Sequence, residues 1–521
     1  MKTNILIGID LGSSSLKALA LEAATGRTVA LSRMPLQHQR LPGGGCEVGA
    51  TVIRAALATV LRDVAHQLGN RVAHVRALAC TGHGAGLYAL DADGELVGGR
   101  AVASTDQRAD ARAQSLARAH GADLLADVGC QPWPGQPTVI AAELLGSNAV
   151  RSGAVQRLMF AKDYVGYLLT GAIASDASDA STAGLLSLAT GNWSTKAFGA
   201  SGIAGLSAQT FGPLVQSGQP IGTLQPQAAA AHGLPAGIPV AMGAIDLLAS
   251  MTAVCAEERG RAVSVLGTWC VNAVIGPVMN PQPRVAGTVN FGPAGRRLYM
   301  ENSPSSMANI AWLAGVLGLP DARAVVDLAM SVPLGAGGLR FLPFVNGGGG
   351  VTAGFVGLKS HHTRGDMARA VVDATAALHV RHTARLAAAG LAVSASTILG
   401  GGASDTRLVR LLAGLLGHPV ERCADDETGA RGAAIYAAMS QNINTAALRA
   451  PCDTVEPDAS LSRAHADFNA TFNELIDTMS PVFGHLAGNA PGPGAAVPPG
   501  PPQPAPAQPT ASTSQRAEVL S

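Results

Sequence analysis

Short apolar runs that end in glycine-rich turns alternate with helical patterns along most of the chain. Apolar residues fill Ile5–Ile9 and, after a polar Gly/Ser turn, Leu16–Leu21, which together predict a β-hairpin. An i, i+4 repeat of apolar residues over Thr51–Leu68 predicts an amphipathic helix. A buried strand is predicted over Val75–Thr81, followed by the glycine loop Gly82–Gly86. This alternation is typical of α/β proteins, in which helices cover mixed sheets.

The same order of elements restarts in the second half of the chain. Strands are predicted over Val263–Leu266 and Ser396–Leu399, and each ends in a glycine turn. Helices are predicted over Asp366–Ala389 and Ser404–Gly417. The sequence therefore indicates two similar α/β halves with a cleft between them.

A Pro/Gly-rich segment before a short apolar strand lies near the middle of the chain, and we place the domain boundary after it, at Asp246. The predicted domains are residues 1–246 and residues 247–489. Residues 490–521 are rich in Pro, Ala, Gly and Ser and contain no aromatic residue, which predicts a disordered or polyproline-like tail.

Composition excludes several classes of function. The chain of 521 residues carries 36 Lys+Arg and 35 Asp+Glu, so no large basic field is available for a nucleic acid or an anionic membrane. No apolar run reaches the roughly 18 residues that a membrane span needs. The seven cysteines are odd in number and include no Cys-x-x-Cys, which argues against a disulfide framework and a structural zinc site. We therefore expect a cytoplasmic protein without nucleic-acid or membrane partners.

The turn of the first hairpin combines groups that can surround a polyphosphate. Its glycine permits close approach, its hydroxyls and backbone amides can donate to phosphate oxygens, its lysine adds positive charge, and its aspartate can hold Mg²⁺ through water. The alternative is a plain hairpin turn, since Asp, Gly and Ser favour turns for local reasons. The candidate residues are Asp10, Gly12, Ser13, Ser14, Ser15 and Lys17.

A second candidate is Asp246, which stands directly before the apolar run Leu247–Val254. One interpretation is a helix N-cap. The other is a general base, because the helix dipole keeps a carboxylate ionised while it can still accept a proton from a substrate hydroxyl. The two interpretations are compatible.

Two further groups lie in loops. Two glycine turns follow predicted strands; one contains Gly267 and Thr268, and the other contains Gly401, Gly402 and Ser404. Such turns can bind an anion, but they also occur simply because the chain must reverse direction after a strand. His83 and Gly84 in the glycine loop, together with Asp106 and Arg108, could bind sugar hydroxyls. The alternatives are a structural histidine and a surface ion pair at a helix start.

Motifs of other enzyme classes are absent. The sequence contains no Gly-x-x-x-x-Gly-Lys-[Ser/Thr], no Gly-x-Gly-x-x-Gly after a strand, no His-Glu-x-x-His and no Gly-x-Ser-x-Gly. Their absence argues against a P-loop NTPase, a dinucleotide oxidoreductase, a zincin and an α/β-hydrolase.

In this order, the motifs resemble those of the FGGY carbohydrate kinases over roughly Asn4–Gly484. The more specific matches are Lys162–Tyr164 with Asp179–Ser181, the C-terminal signature over Ala353–Asp373, and the turn Gly401–Ser404. The resemblance implies two actin/hexokinase-like (ribonuclease H-like) ATPase domains around a central cleft, in a monomer or homodimer.

The resemblance also implies roles for the candidate residues. Asp246 corresponds to the catalytic base and Asp10 to the second catalytic carboxylate, near Mg²⁺. The hairpin turn, Gly267–Thr268 and Gly401–Ser404 correspond to the ATP-binding turns. His83, Gly84, Asp106, Arg108 and Asp246 correspond to the sugar site.

The loop Thr81–Tyr88 is most similar to the L-xylulose kinase branch of the family, since Ala85 replaces the histidine usual in the D-xylulose branch. The expected activity is therefore ATP-dependent phosphorylation of a primary hydroxyl of a xylulose-like pentulose. One alternative is a kinase for a polyol such as erythritol, glycerol or xylitol. Another is a non-catalytic sugar-binding regulator or a chaperone-like ATPase.

Overall fold

The computed structural model describes residues 4–254, 260–280, 282–291, 295–347 and 352–488, without the side chains of residues 480 and 483–488. The predicted tail, residues 490–521, lies outside the described residues.

The described strands belong to two large sheets and several small ones. In chain order they are β1 Ile5–Leu11, β2 Ser15–Glu22, β3 Thr28–Pro35, β4 Gln39–Leu41, β5 Gly45–Gly49, β6 Val75–Gly82, β7 Tyr88–Leu90, β8 Arg100–Val102, β9 Arg157–Met159, β10 Ser175–Asp176, β11 Leu214–Val215, β12 Pro220–Thr223, β13 Pro239–Ile245, β14 Arg261–Leu266, β15 Cys270–Pro277, β16 Gly287–Asn290, β17 Arg296–Ser303, β18 Arg340–Leu342, β19 Gly354–Val356, β20 Ala395–Leu399, β21 Val420–Cys423 and β22 Cys452–Val455.

The described α-helices cover the sheets and connect them. In chain order they are α1 Ala50–Leu68, α2 Asp110–Val128, α3 Pro137–Leu144, α4 Ala161–Thr170, α5 Ala177–Thr182, α6 Thr195–Ala200, α7 Ala208–Phe211, α8 Pro226–His232, α9 Asp246–Ala253, α10 Met307–Leu317, α11 Ala322–Met330, α12 Arg364–Ala388, α13 Thr406–Leu416, α14 Thr428–Met439 and α15 Ser462–Gly488.

The two large sheets repeat one arrangement. The first has the strand order β12-β13-β6-β1-β2-β3, with β1 and β2 as an antiparallel hairpin and β1, β6 and β13 parallel. The second has the order β16-β17-β15-β14-β20-β21-β22, with β14 and β15 as the hairpin and β14, β20 and β21 parallel. The predicted α/β class, the first hairpin and the strands and helices predicted from periodicity are confirmed, with end points shifted by a few residues.

Helices α9 and α14 lie between the two sheets. They pack against each other, and α14 also contacts β1, β2, β6 and β13 of the first sheet. Close approach of α14 to β1 requires Gly8, where a β-carbon would lie 1.8 Å from the carbonyl oxygen of Ala430. Leu6 of the first sheet and Val263 of the second belong to one buried cluster that includes Ala430. The domain boundary at Asp246 stays a prediction. Helix α14 follows Asp246 in sequence but packs on the first sheet, so the sequence after Asp246 does not belong to the second sheet alone.

None of the helices in the described part of the chain is both long enough and apolar enough to cross a membrane.

Candidate active site

The carboxyl ends of β1, β6 and β13 place three predicted segments at one edge of the first sheet. Leu11 is in register with Gly82, and Gly82 with Ile245. The backbone N–H of His83 donates to the Leu11 carbonyl at 2.9 Å. The turn of the first hairpin, the glycine loop and Asp246 therefore lie side by side at the carboxyl ends of parallel strands, which is where ligands bind in α/β sheets.

Asp10 lies near the end of β1, opposite Lys17 of β2. It is buried, and its Oδ2 lies 4.0 Å from the Lys17 ammonium. Burial raises the pKa of Asp10 to about 6; Lys17 opposes this effect and Glu427 adds to it. Its Oδ1 has no hydrogen-bond partner among the described residues. A buried carboxylate with an unpartnered oxygen is suited to a cation or a water held by one.

The loop after β21 of the second sheet reaches this carboxylate. Its last residue, Glu427, forms ion pairs with Lys17 at 3.2 Å and with Arg33. Helix α14 begins next, and a β-carbon at Gly429 would lie 2.6 Å from Asp10 Oδ2. The strand ends of the two sheets thus face one another at Asp10. Sequence reasoning missed Glu427 and Gly429, because no local pattern identifies a partner about four hundred residues away.

Asp246 is the first residue of α9, and Ile245 occupies the N-cap position. Asp246 Oδ1 accepts a hydrogen bond from the Leu247 N–H at 2.7 Å. Burial raises the pKa of Asp246 to about 7, with a further increase from Asp10 and smaller opposing effects of the Leu247 N–H and Lys17. Since Asp246 is not the N-cap, its position differs from the simple capping interpretation. Near neutral pH it can exchange a proton with a substrate.

The turn of the first hairpin is an exposed loop between β1 and β2. The Gly12 N–H donates to the Ser15 carbonyl at 3.0 Å, while Ser13 and Ser14 are exposed and Ser15 is buried. Lys17 differs from the expectation of a free phosphate-binding charge, because it points to two carboxylates. Its ammonium moderates the negative charge at Asp10.

His83 and Gly84 begin the loop after β6. Burial lowers the pKa of His83 to about 4, so the ring is neutral at physiological pH. Its Nε2 lies 3.1 Å from the Tyr88 hydroxyl. Gly84 lies beside Ile245, since a β-carbon there would be 3.9 Å from Ile245 Cδ1. The loop thus lies directly beside the strand that carries Asp246.

Asp106 and Arg108 form an ion pair in which Asp106 is buried and Arg108 is partly exposed, so the pair is less open to solvent than a typical surface pair. Asp106 is 1% exposed and accepts from the Cys46 N–H at 2.7 Å. Arg108 Nη2 donates to Asp106 at 2.7 Å and to Glu47 at 2.8 Å. Both groups therefore stabilise the chain beside the glycine loop; direct contact with a sugar stays a prediction.

The edge of the second sheet brings the other predicted turns together. The carbonyls of Gly267 and Thr268 accept from the N–H groups of Met307 and Ser306 at 3.0 and 2.9 Å. A cavity of about 450 Å³ lies beside this edge. Residues that line the cavity include Gly401, Gly402, Ser404, Met307, Arg323 and Asp327.

The predicted residues thus form two groups. The group at the edge of the first sheet consists of Asp10, Gly12, Ser13, Ser14, Ser15, Lys17, His83, Gly84 and Asp246, with Asp106 and Arg108 behind the glycine loop. The group at the edge of the second sheet consists of Gly267, Thr268, Gly401, Gly402 and Ser404. The ion pair of Lys17 with Glu427 connects the two edges.

The chain is similar to known carbohydrate kinases in sequence and in fold. An L-xylulose/3-keto-L-gulonate kinase of Escherichia coli is 27% identical over 92% of this chain and 97% of its own length. An erythritol kinase of Brucella abortus is also 27% identical, over 93% of this chain and 98% of its own length. The crystal structure of a xylulose kinase from Rhodospirillum rubrum superposes with a TM-score of 0.81 at 24% identity, over 92% of this chain and all of the other.

Family models cover both halves of the chain. The N-terminal domain of the FGGY family of carbohydrate kinases matches residues 5–255, and the C-terminal domain matches residues 262–441. The resemblance found in the motifs and the predicted two-domain fold are therefore confirmed. The protein belongs to the FGGY family of carbohydrate kinases and is an enzyme that uses ATP to phosphorylate a small sugar.

Proposed function

We propose that the enzyme transfers the γ-phosphoryl group of ATP to a primary hydroxyl of a pentulose similar to xylulose. The observation that carries this proposal is the pair Asp10 and Asp246, two carboxyl groups with raised pKa values at one edge of the first sheet. Residues 1–246 bind the sugar and the transferred phosphate in this proposal, and residues 247–489 bind the nucleotide.

Asp246 is the general base. Its carboxylate accepts the proton of the attacking hydroxyl, and a pKa of about 7 suits this task because proton transfer is most effective near the working pH. The Leu247 N–H at the start of α9 favours the ionised form and partly offsets the effect of burial. Phosphoryl transfer requires little other covalent help from the protein, so positioning and charge stabilisation supply most of the rate.

Asp10 is suited to Mg²⁺, held through water at the unpartnered Oδ1. Among the described residues no group of three or more His, Cys, Asp or Glu is placed to hold a metal ion by itself. When bound, Mg²⁺ neutralises charge on the transferred phosphoryl group. In this proposal the phosphate oxygens accept hydrogen bonds from Ser13, Ser14 and Ser15 and from Gly267 and Thr268, while Gly12, whose N–H is bound to the Ser15 carbonyl, permits the close approach of the phosphate.

The nucleoside occupies the cavity beside the second sheet. Gly401 and Gly402 leave space for a planar base and sugar, and the Ser404 hydroxyl, the Arg323 guanidinium and the Asp327 carboxylate supply polar partners. A volume of about 450 Å³ lies within the range usual for small-molecule sites.

The sugar lies at His83 and Gly84, with Asp106 and Arg108 behind them. The neutral imidazole of His83 suits an uncharged substrate, and it binds a sugar hydroxyl in place of one of its two present partners, the Tyr88 hydroxyl and the Gly84 carbonyl. The named relatives favour a pentulose, because an L-xylulose/3-keto-L-gulonate kinase and a xylulose kinase cover nearly the whole chain. A polyol is the second candidate, because an erythritol kinase matches at the same identity.

A coupled assay of ADP release over a panel of pentuloses, hexuloses and polyols tests the proposal. We expect the highest kcat/KM with L- or D-xylulose. Preference for erythritol, glycerol or xylitol would assign a polyol kinase instead. Sugar-dependent thermal stabilisation without ADP release would identify a non-catalytic regulator, and ATP hydrolysis that no sugar stimulates would favour a chaperone-like ATPase.

A further inference from the structure

A cluster of buried charges lies beneath the proposed sugar loop and has no part in the chemistry above. Lys162 of α4 is fully buried, with its ammonium 2.6 Å from Asp163, 2.8 Å from Asp176 and 3.5 Å from Asp179. Burial raises the pKa values of Asp163 and Asp179, and Lys162 lowers them. Three buried carboxyl groups around one cation are costly to remove from water, and an apolar cluster of similar volume would often be at least as stable.

The cluster directly contacts the sugar loop. Asp179 Oδ1 accepts a hydrogen bond from the N–H of Ala85 at 3.1 Å. Ala85 is fully buried and has φ of 57°, a left-handed conformation that is strained for any residue with a β-carbon. A charge-assisted hydrogen bond at this N–H offsets the strain and fixes the loop that presents His83 and Gly84.

A second branch of the cluster leads to Asp246. Asp176 Oδ2 accepts from the Ser178 hydroxyl at 2.6 Å. The same hydroxyl oxygen accepts from the N–H of Ile245 at 3.0 Å, one residue before Asp246. Asp176, Ser178 and Asp179 are neighbours at the start of α5, so one short helix contacts both the sugar loop and the strand end that carries Asp246.

We propose that Lys162 and α5 position the two halves of the sugar site together: Asp179 sets the loop at Ala85, and Ser178 sets the backbone that orients Asp246. This inference rests on the proposed function, since it assumes that the sugar lies between His83 and Asp246. Asp179 and Ser178 touch no substrate; they are positioning residues. Their two contacts predict separable kinetic effects.

The test compares Asp179→Asn with Ser178→Ala in the full-length enzyme. The asparagine substitution removes the charge that binds Ala85 and Lys162, so we expect the KM for the sugar to rise about tenfold or more, with the KM for ATP changed less than about twofold. Ser178→Ala frees the Ile245 N–H, so we expect kcat to fall about tenfold with a smaller change in the sugar KM.

Asp373→Asn is the matched control. Asp373 is also buried, pairs with Arg369 at 2.8 Å and accepts a backbone N–H from Gly335 at 2.8 Å, but it lies on α12 beside the second domain's helices. It should lower stability without raising the sugar KM. An equal rise in this control, or an unchanged sugar KM in folded Asp179→Asn, would overturn the proposal. If Asp179→Asn does not fold, Ser178→Ala decides, and an unchanged kcat there overturns it.

Failure of the proposed function would be visible before any variant is made, because the wild-type enzyme would then prefer a different acceptor or none. If a polyol is the preferred acceptor, the same three variants are assayed with it. A sugar-independent loss of ATP binding in Asp179→Asn would also refute the positioning role, since it would show general damage to the fold.

Discussion

The raised pKa of Asp246 predicts that this carboxylate, the proposed general base, destabilises the folded protein when it is ionised. The ordinary pKa of 3.8 rises to about 7 in the native state. At about 1.4 kcal/mol per pH unit, ionised Asp246 costs about 4 kcal/mol in the folded protein relative to the unfolded chain. Because the folded-state pKa is raised, this group favours the fold below about pH 4, and its contribution is lost as the pH rises towards 7.

The perturbation is Asp246→Asn, which keeps the shape and removes the charge. The variant should be about as stable as the wild type near pH 4 and more stable by up to about 4 kcal/mol at pH 8. Asp10 titrates in both proteins, and its raised pKa comes from burial and Glu427, which the substitution leaves in place. At the same time kcat should fall by about a hundredfold or more, the usual contribution of a general base.

Urea unfolding of the ligand-free, metal-free enzyme at about pH 5 and about pH 8 measures the stability difference. Exposed Asp63, whose carboxylate accepts from the Ser32 hydroxyl, supplies the control variant Asp63→Asn. A stability difference that is the same at both pH values would refute the raised pKa. Sugar phosphorylation by Asp246→Asn within about tenfold of wild type would refute the assignment of the base.

Three further predictions concern the surroundings of the site. Lys17→Met should raise the pH at which kcat/KM reaches half its maximum, because Lys17 lowers the pKa of both Asp10 and Asp246; a pH–rate profile that does not move contradicts this. Burial lowers the pKa of His379 to about 3, so below pH 6.5 the unfolded chain binds a proton that the native state excludes. His379→Gln should therefore reduce the loss of stability on acidification by up to about 1.4 kcal/mol per pH unit, as measured by urea unfolding. An unchanged dependence of the unfolding free energy on pH excludes this contribution. Gly429→Ala should abolish most activity because its β-carbon meets Asp10, whereas Gly199→Ala, in an open position of α6, should leave activity intact and raise the unfolding free energy by up to about 1 kcal/mol.

Local pattern predicted the elements of this site better than their partners. The hairpin, the strand before Gly82 and the strand before Gly267 follow from alternating apolar runs and glycine turns, and the parallel arrangement then places their ends at common edges. The role of Lys17 differed from expectation because its partner Glu427 comes from another sheet. Periodicity carries no information about such a contact.

The buried charges show the same limit from the other side. The sequence shows the motif that contains Lys162, Asp163 and Asp179, but charged residues are mostly exposed in proteins, so the sequence does not predict that these side chains are buried. Only the fold shows that all three are buried and that Asp179 meets Ala85. Asp106 and Arg108 likewise look like a surface pair in the sequence, whereas the structure buries Asp106 and Glu47 and leaves Arg108 partly exposed between them.

The chain has a net charge of +1 and so offers no large basic field, yet as a kinase it must bind the polyanion ATP. Asp10 lies near Asp246 and Glu427, with Lys17 as the neighbouring cation, so the site itself repels a bare triphosphate. In the proposed function, a metal-bound nucleotide reverses that repulsion at Asp10, while turn amides and hydroxyls bind the phosphate oxygens through local dipoles. In this proposal, ionised Asp10 and Asp246, whose burial weakens the empty fold, become favourable when nucleotide and metal are bound, so the stability of the protein depends on ligand occupancy.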